Sequence, residues 1–221
     1  MKTAIRLLLG VAIGVVLSCA CQAQMGMNMR PPDIAGVFNP SVGSGSSYEL
    51  IKKDKGEKTV FDMSVVDKDP SGGYWVEYSV QEPKMHGPMY MKELMTRKAD
   101  DVLVEHMIVQ LPGQPPMDMS TMMSMSGLQS KESKADFRNE AENLGTESIT
   151  TPAGTFSCQH WRSKKDATEV WLSDKVSPWK LVKMNDSSNT MTLVRVISDA
   201  KTHITGTPIS MQEMMQKRTN H

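Results

Sequence analysis

Cysteine is scarce in this chain: three in 221 residues, two of them, Cys19 and Cys21, close together near the N-terminus. Beyond that pair only Cys158 remains, so no disulfide can close within the rest of the chain. Stability must come from packing and hydrogen bonding. Neither sign of charge is in excess, with 25 Lys plus Arg against 25 Asp plus Glu, which leaves no basic footprint for nucleic acid. After the first two dozen residues, no apolar run approaches the roughly eighteen residues that cross a bilayer as a helix. The patterns G-x-S-x-G, H-E-x-x-H and Walker A are all missing. These absences point away from an enzyme, a nucleic-acid partner and a bound cofactor.

What is present begins with an export signal. Lys2 and Arg6 precede or enter the apolar run ending LLLGVAIGVVLS, and small residues follow it, the layout of a cleaved signal peptide over residues 1–23. Three cleavage points compete. V-L-S-C ending at Cys19 resembles a bacterial lipobox, S-C-A-C ending at Cys21 is a second, and C-Q-A before Gln24 suits the ordinary signal peptidase. Lipidation at Cys19 or Cys21 would anchor the chain to a membrane through its N-terminus. Every route leads outside the cytoplasm, to the periplasm or an outer-membrane anchor. Residues 24–47, QMGMNMRPPDIAGVFNPSVGSGSS, have linker composition and read as a flexible arm.

Among large apolar residues, methionine dominates. Beyond residue 23 it occurs 19 times against 9 Leu, 7 Ile and 4 Phe, so any core or ligand surface here is built mainly from thioethers. Methionine is unbranched and polarisable; it fills irregular space and tolerates shifting partners. The stretch PPMDMSTMMSMSG concentrates the effect, with Met117, Met119, Met122, Met123 and Met125 in nine positions.

From Tyr48 the pattern is that of a single domain running to residue 221. YELIKKD, KTVFDMSVVD, YWVEYSVQ, MYMKELMTR and DVLVEHMIVQL are short, rich in β-formers and separated by turn signals, which predicts an antiparallel meander. TESITTP, GTFSCQHWRS, TEVWLSD, KLVKMND and MTLVRVISDA continue it, giving about ten strands. Between the two groups, residues 112–144 break the pattern and are expected to form a lid. Ser133 with Asp136 has capping-box spacing, Phe137, Ala141 and Leu144 recur at i, i+4, i+7, and Gly145 would end that helix. Ser210 and Glu213 open a second capping box, predicting a terminal helix at 211–218.

The segment GTESITTPAGTFSCQHWRSKKDATEVWLSDKVSPWKLVKM, Gly145 to Met184, resembles a group of exported bacterial proteins of unknown function found among acidobacteria. The shared pattern is T-x-T-x-P-A-G-T-F-x-C-x-H, a V-W-x-S strand and K-V-S-P-x-x-L-V-K; TLVRVISDAKTHITGTP is similar as well. That group is distantly similar to the lipoprotein carriers LolA and LolB. The resemblance implies a mainly β (α+β) fold: a curved antiparallel half-barrel, with central helices and a short C-terminal helix covering an apolar concave face. It carries over no catalytic residue.

The expectation for the site follows. Met63, Met89, Met91, Met95 and Met107 from the strands, with Met119, Met122 and Met123 from the lid, would line a concave face for an apolar small molecule, a lipid or a lipidated partner. A rival is Cu(I) binding through M-x-M spacing, at Met25, Met27 and Met29 and at Met117 and Met119, because thioethers suit soft cations. A third reading is a structural interaction module with a filled core. Cys158-x-His160 sets a thiol and an imidazole on one strand face, but no orienting partner or further ligand is visible in sequence, so a buried thiol is the simpler reading. His106 alternates with Val104 and Ile108 and is expected to face the interior. Glu93 and Glu105 have no spacing that pairs them.

Overall fold

The structure, a computed structural model, describes residues 37–81, 86–98, 101–125, 140–210 and 213. Alternating apolar and polar residues between short turns give twelve strands: β1 (Gly45–Lys52), β2 (Lys58–Lys68), β3 (Tyr74–Val80), β4 (Met89–Lys98), β5 (Asp101–Gln110), β6 (Met117–Asp118), β7 (Ala141–Thr151), β8 (Gly154–Ser163), β9 (Glu169–Leu172), β10 (Leu181–Asn185), β11 (Asn189–Ile197) and β12 (Ile209–Ser210). They form one open sheet in the order β12-β6-β5-β4-β3-β2-β1-β11-β10-β9-β8-β7. Two antiparallel meanders, β1–β6 and β7–β11, are joined through the β1–β11 pairing; β12 is parallel to β6.

The expected helical cover is corrected here. Among the described residues one helix longer than a single residue occurs, the six-residue α1 (Ser120–Met125). Residues 126–139, which carry the first capping box, lie outside the described residues. Ala141 and Leu144, assigned from their spacing to that helix, belong instead to β7, and Gly145 is no helix stop. It sits at a bulge opposite β8 with φ of +103°, a conformation glycine adopts without a Cβ penalty. Nine-residue helical periodicity lost to a ten-pair ladder with β8, closed by the turn at Pro152-Ala153, where Gly154 takes φ of +128°. The expected lid, 112–144, is therefore not one layer: its described pieces include β6, α1 and the start of β7. At the C-terminus Ser210 N–H donates to the Glu213 carboxylate and Glu213 N–H to Ser210 Oγ, as a capping box does; the rest of 211–221 is outside the described residues.

The sheet coils at its β7 end. Four strand steps of about 4.8 Å would separate β7 from β11 by about 19 Å if the sheet were flat, yet their Cα atoms approach within 8 Å. One face is apolar, and its cover comes from segments not assigned to a lid. The β9–β10 connection places Val176, Pro178 and Trp179 in the core. It is fastened by Tyr48 Oη donating to the Leu181 carbonyl at 2.7 Å and Ser46 Oγ donating to the Ser177 carbonyl at 2.7 Å. Val37 and Phe38, in the stretch read as an arm, are also buried, and Phe38 packs on Trp179 and Tyr74.

A strap crosses the opposite face. After β11 the chain runs without regular structure through residues 198–208 and reaches β12 at the far edge. Its central fastening is Glu77 of β3, 3% exposed, which accepts from Thr202 Oγ1, from the His203 amide and from His203 Nδ1. His203 stacks flat on Tyr90. A carboxylate with that many donors is satisfied although buried; without it those donors lose their partner. Glu77→Ala is expected to destabilise the protein by about 2–4 kcal/mol. Hydrogen exchange at the amides of His203, Thr205 and Ile209 should accelerate; unchanged protection there would show that the strap is held elsewhere.

Candidate functional site

Cross-strand partners in an antiparallel sheet point to the same side, so the register determines which methionines meet. Met63 pairs with Tyr78, Tyr78 with Met91, Met91 with Val109 and Val109 with Met117, making one row across β2–β6. A second row runs Val65, Val76, Glu93, Met107. Phe61, Val80 and Met89 form a third, and Tyr74, Met95 and Val104 a fourth. Met119 donates its amide to the Met107 carbonyl, extending the second row. The five strand methionines singled out from sequence thus share one face with Met117.

Their exposure is graded. Met63 and Met95 are buried, as are Met117, Met119 and Met123, and Val65 and Val76 are inaccessible. Met89, Met91, Met107 and Val109, on β4 and β5, are only half-buried, as is Met122 on α1. The apolar face is closed over β1–β3 and partly open over β4–β5.

Glu93 stands within this face. Its strand neighbours at two residues are Met91 and Met95, and its cross-strand partners are Val76 and Met107. Burial alone pushes its carboxyl up to about 7, and no described residue offers it an opposite charge or a hydrogen bond. The Tyr78 phenol, driven well above its ordinary range by burial and then by the Glu93 charge, lies beside it. Trp179 also approaches Tyr78, yet its buried Nε1–H has no hydrogen-bond partner. Sequence reasoning noted Glu93 but had no means to see that a carboxyl was enclosed by thioethers. The signal was its place in the alternation MYMKELM, on the parity of Met89, Met91 and Met95.

Other sequence candidates fall elsewhere. His106 does not face the interior: it is exposed on the opposite face, paired with Leu94 and 3.2 Å from Ser120 Oγ through Nδ1. The bulge between Leu94 and Met95 shifts β5 against β4, so Val104 falls on the methionine side and His106 on the other. Glu105 accepts from Thr96 Oγ1 and does not meet Glu93. Cys158 is fully buried, and burial together with the nearby Glu147 charge pushes its thiol up to about 11, the reverse of what a nucleophile needs. His160 lies on Trp171 and 2.9 Å from Glu147, with Glu169 on its other side. Met25, Met27 and Met29, and Cys19 and Cys21, lie outside the described residues. Among the described residues no three His, Cys, Asp or Glu side chains converge on a metal position.

Two open cavities among the described residues measure about 360 and 320 Å3. The larger is lined by Trp75, Leu94, Ile108, Asp69, Glu105 and His106 on the opposite face, with Ser71 and Asp118; the smaller by Phe38, Tyr74, Arg97 and the turn at Ser71–Gly72. No methionine lines either of these two; on the methionine face itself, burial grades from a closed half to a half-open margin.

The buried acid makes stability depend on pH. With a folded value of about 7 against an ordinary 4.5, Glu93 favours folding while it stays protonated. Stability should be fullest below 4.5 as far as this group is concerned, fall as pH rises, and level off above about 7, a loss on the order of 3 kcal/mol. Glu93→Gln should flatten this dependence and be the more stable protein above neutrality, measured by urea denaturation on both sides of the window. A parallel profile for the two proteins would place the carboxyl in water.

No protein-family model matches the chain. No curated protein sequence matches it either. Several solved structures are similar. A candidate lipoprotein from Parabacteroides distasonis is 19% identical, covering 74% of this chain and 99% of its own at a TM-score of 0.35. A candidate exported protein with a YmcC-like fold from Bacteroides fragilis is 13% identical over 72% and 98%, at 0.35. MucB, solved in complex with MucA(peri), is 5% identical over 78% and 56%, at 0.45. At these values the likeness assigns neither a family nor a ligand.

Proposed function

We propose that this is an exported, non-enzymatic envelope protein that holds an apolar ligand, a lipid chain or a lipidated partner, against the methionine face of β4 and β5. The observation that carries the reading is the graded exposure of the rows: Met63 and Met95 are closed off, while Met89, Met91, Met107 and Val109 on the same face remain half-buried. A continuous half-exposed apolar strip beside a closed core suits an occupant that completes the burial. Methionine supports this because rotation about three bonds re-packs the wall without moving the strands. The N-terminal signal supports export, and Cys19 or Cys21 would supply a membrane anchor. No helix of the described residues is long and apolar enough to cross a membrane.

An occupant must slide along the half-open margin or displace cover, and α1, with Met122 half-buried, borders that margin. Met117 and Met119 are buried, so their thioethers already take part in packing.

Native mass spectrometry of protein purified from the cell envelope should show adducts of lipid mass. Met91→Lys, which sets a charge in the half-open strip, should abolish them; Val60→Lys, on the opposite face where Val60 is 49% exposed, should not. Adduct-free wild type would favour a structural module with a filled core, and adducts that survive Met91→Lys would place the occupant off this face.

A further inference from the structure

The half-open strip continues along β5 past the methionines to a basic end. Val102 and Val104 are half-buried like Met107 and Val109, and all four lie on one side of the strand. At about 3.3 Å per residue the strip from Val102 to Val109 is roughly 23 Å long, room for an extended acyl chain. Val102 pairs across the ladder with Arg97, and Tyr74 pairs with Lys68 and Met95, so both cations stand on the methionine side at this end. The cavity of about 320 Å3 lies there, with Tyr74 and Arg97 in its wall. Arg97 Nη2 donates to the Phe38 carbonyl at 2.7 Å, and Lys68 Nζ stands 5.5 Å from the centre of the Tyr74 ring. Among the described residues neither cation has a carboxylate within ion-pair distance. The neighbouring acids are turned away or engaged: Asp67 pairs with Trp75 on the opposite face, Asp69 lines the other cavity, and Asp174 holds Lys180. Glu93, the carboxyl on this side, is buried further along β4. Charge along the strip is therefore polarised, with both free cations at the cavity.

Resting on the reading of an apolar occupant on β4–β5, we infer that the occupant is an acyl glycerophosphate, its chain along Val104, Met107 and Val109 and its phosphate between Lys68 and Arg97. A phosphate suits this place better than a carboxylate. Its charge of about −1.5 to −2 at neutral pH matches two cations, and it has three acceptor oxygens where a carboxylate has two. The Arg97 guanidinium, with one donor spent on Phe38, keeps others for a phosphate oxygen. The cavity is also larger than a carboxylate needs, which leaves room for the glycerol that joins head to chain. Because Lys68 and Arg97 are exposed, the ion pair stays hydrated; it selects among apolar chains, and the strip supplies most of the affinity.

The test titrates the full exported chain calorimetrically with 1-lauroylglycerol 3-phosphate, 1-lauroylglycerol and laurate, each kept below its micelle concentration. The first two share chain and glycerol; only one has the phosphate. At low salt the phosphate probe should bind about tenfold more tightly than the neutral one, the value of one charge-assisted hydrogen bond, and the gap should narrow as salt rises. Laurate should fall between them. Lys68→Gln and Arg97→Gln should each shrink the gap by about threefold and leave 1-lauroylglycerol binding unchanged. Lys58→Gln, which removes a cation at the other end of β2 where it pairs with Glu49, should leave the gap intact. If Arg97→Gln fails to fold for want of the Phe38 hydrogen bond, Lys68→Gln carries the test alone. Equal binding of the phosphate and neutral probes by wild type, or a gap that survives substitution of Lys68 and Arg97, overturns the inference while sparing the apolar-ligand reading. Laurate binding as tightly as the phosphate probe overturns the choice of phosphate. Binding of none of the three overturns the inference and the apolar-ligand reading together.

Discussion

The alignment of β2 through β6 governs the apolar face. Hydrogen bonds between neighbouring strands place Met63, Tyr78, Met91 and Val109 in one line, and a slip by one residue in any pair would turn that strand's thioethers to the opposite side. Because methionine has little intrinsic strand preference and many rotamers, the side chains do not choose their places; the backbone ladder chooses for them. Aromatic and β-branched residues hold the ladder where it is fully covered, at Tyr48, Phe61, Val65 and Val76. Thioethers take over where it is not. The same face is thus rigid at one end and deformable at the other.

Covering such a face requires material from distant parts of the chain. The β9–β10 connection reaches back to β1 through the Tyr48 and Ser46 hydrogen bonds, so the second meander caps the first. The strap over the opposite face performs the complementary task, clasped by Glu77. Two glutamates on adjacent strands, on opposite faces of the sheet, therefore have opposite fates. Glu77 is buried with donors supplied by the strap, whereas Glu93 is buried among Met91, Met95 and Met107 with none. That contrast sets Glu93, at the half-open margin, apart from Glu77 beneath the strap.

The strands were legible from sequence because alternation and turn signals agree over β1–β5 and β8–β11. At GTFSCQHWRS even the boundaries coincide with β8. Helices were over-read. Ala141 and Leu144 have helical spacing, but a cross-strand ladder involving nearly every residue of β7 outweighs a local three-residue coincidence, and Gly145 serves a bulge. The side of the sheet taken by His106 depended on another bulge, between Leu94 and Met95, which leaves no mark in sequence. The cover was missed for a related reason: nothing local in KVSPWK says that Trp179 will reach across to Phe38 and Tyr78. Periodicity reports on faces, and tertiary connections decide what lies on them.

The central claim is that the half-open thioether margin, and not the whole methionine complement, is the binding surface. Methyl-labelled methionine NMR tests it most directly, following each thioether methyl during titration with 1-lauroylglycerol. The account predicts that Met89, Met91 and Met107 shift together and saturate, while Met184 and Met191, on strands beyond β1, stay in place. Uniform small shifts across all methionines, or movement confined to Met184 and Met191, would contradict it.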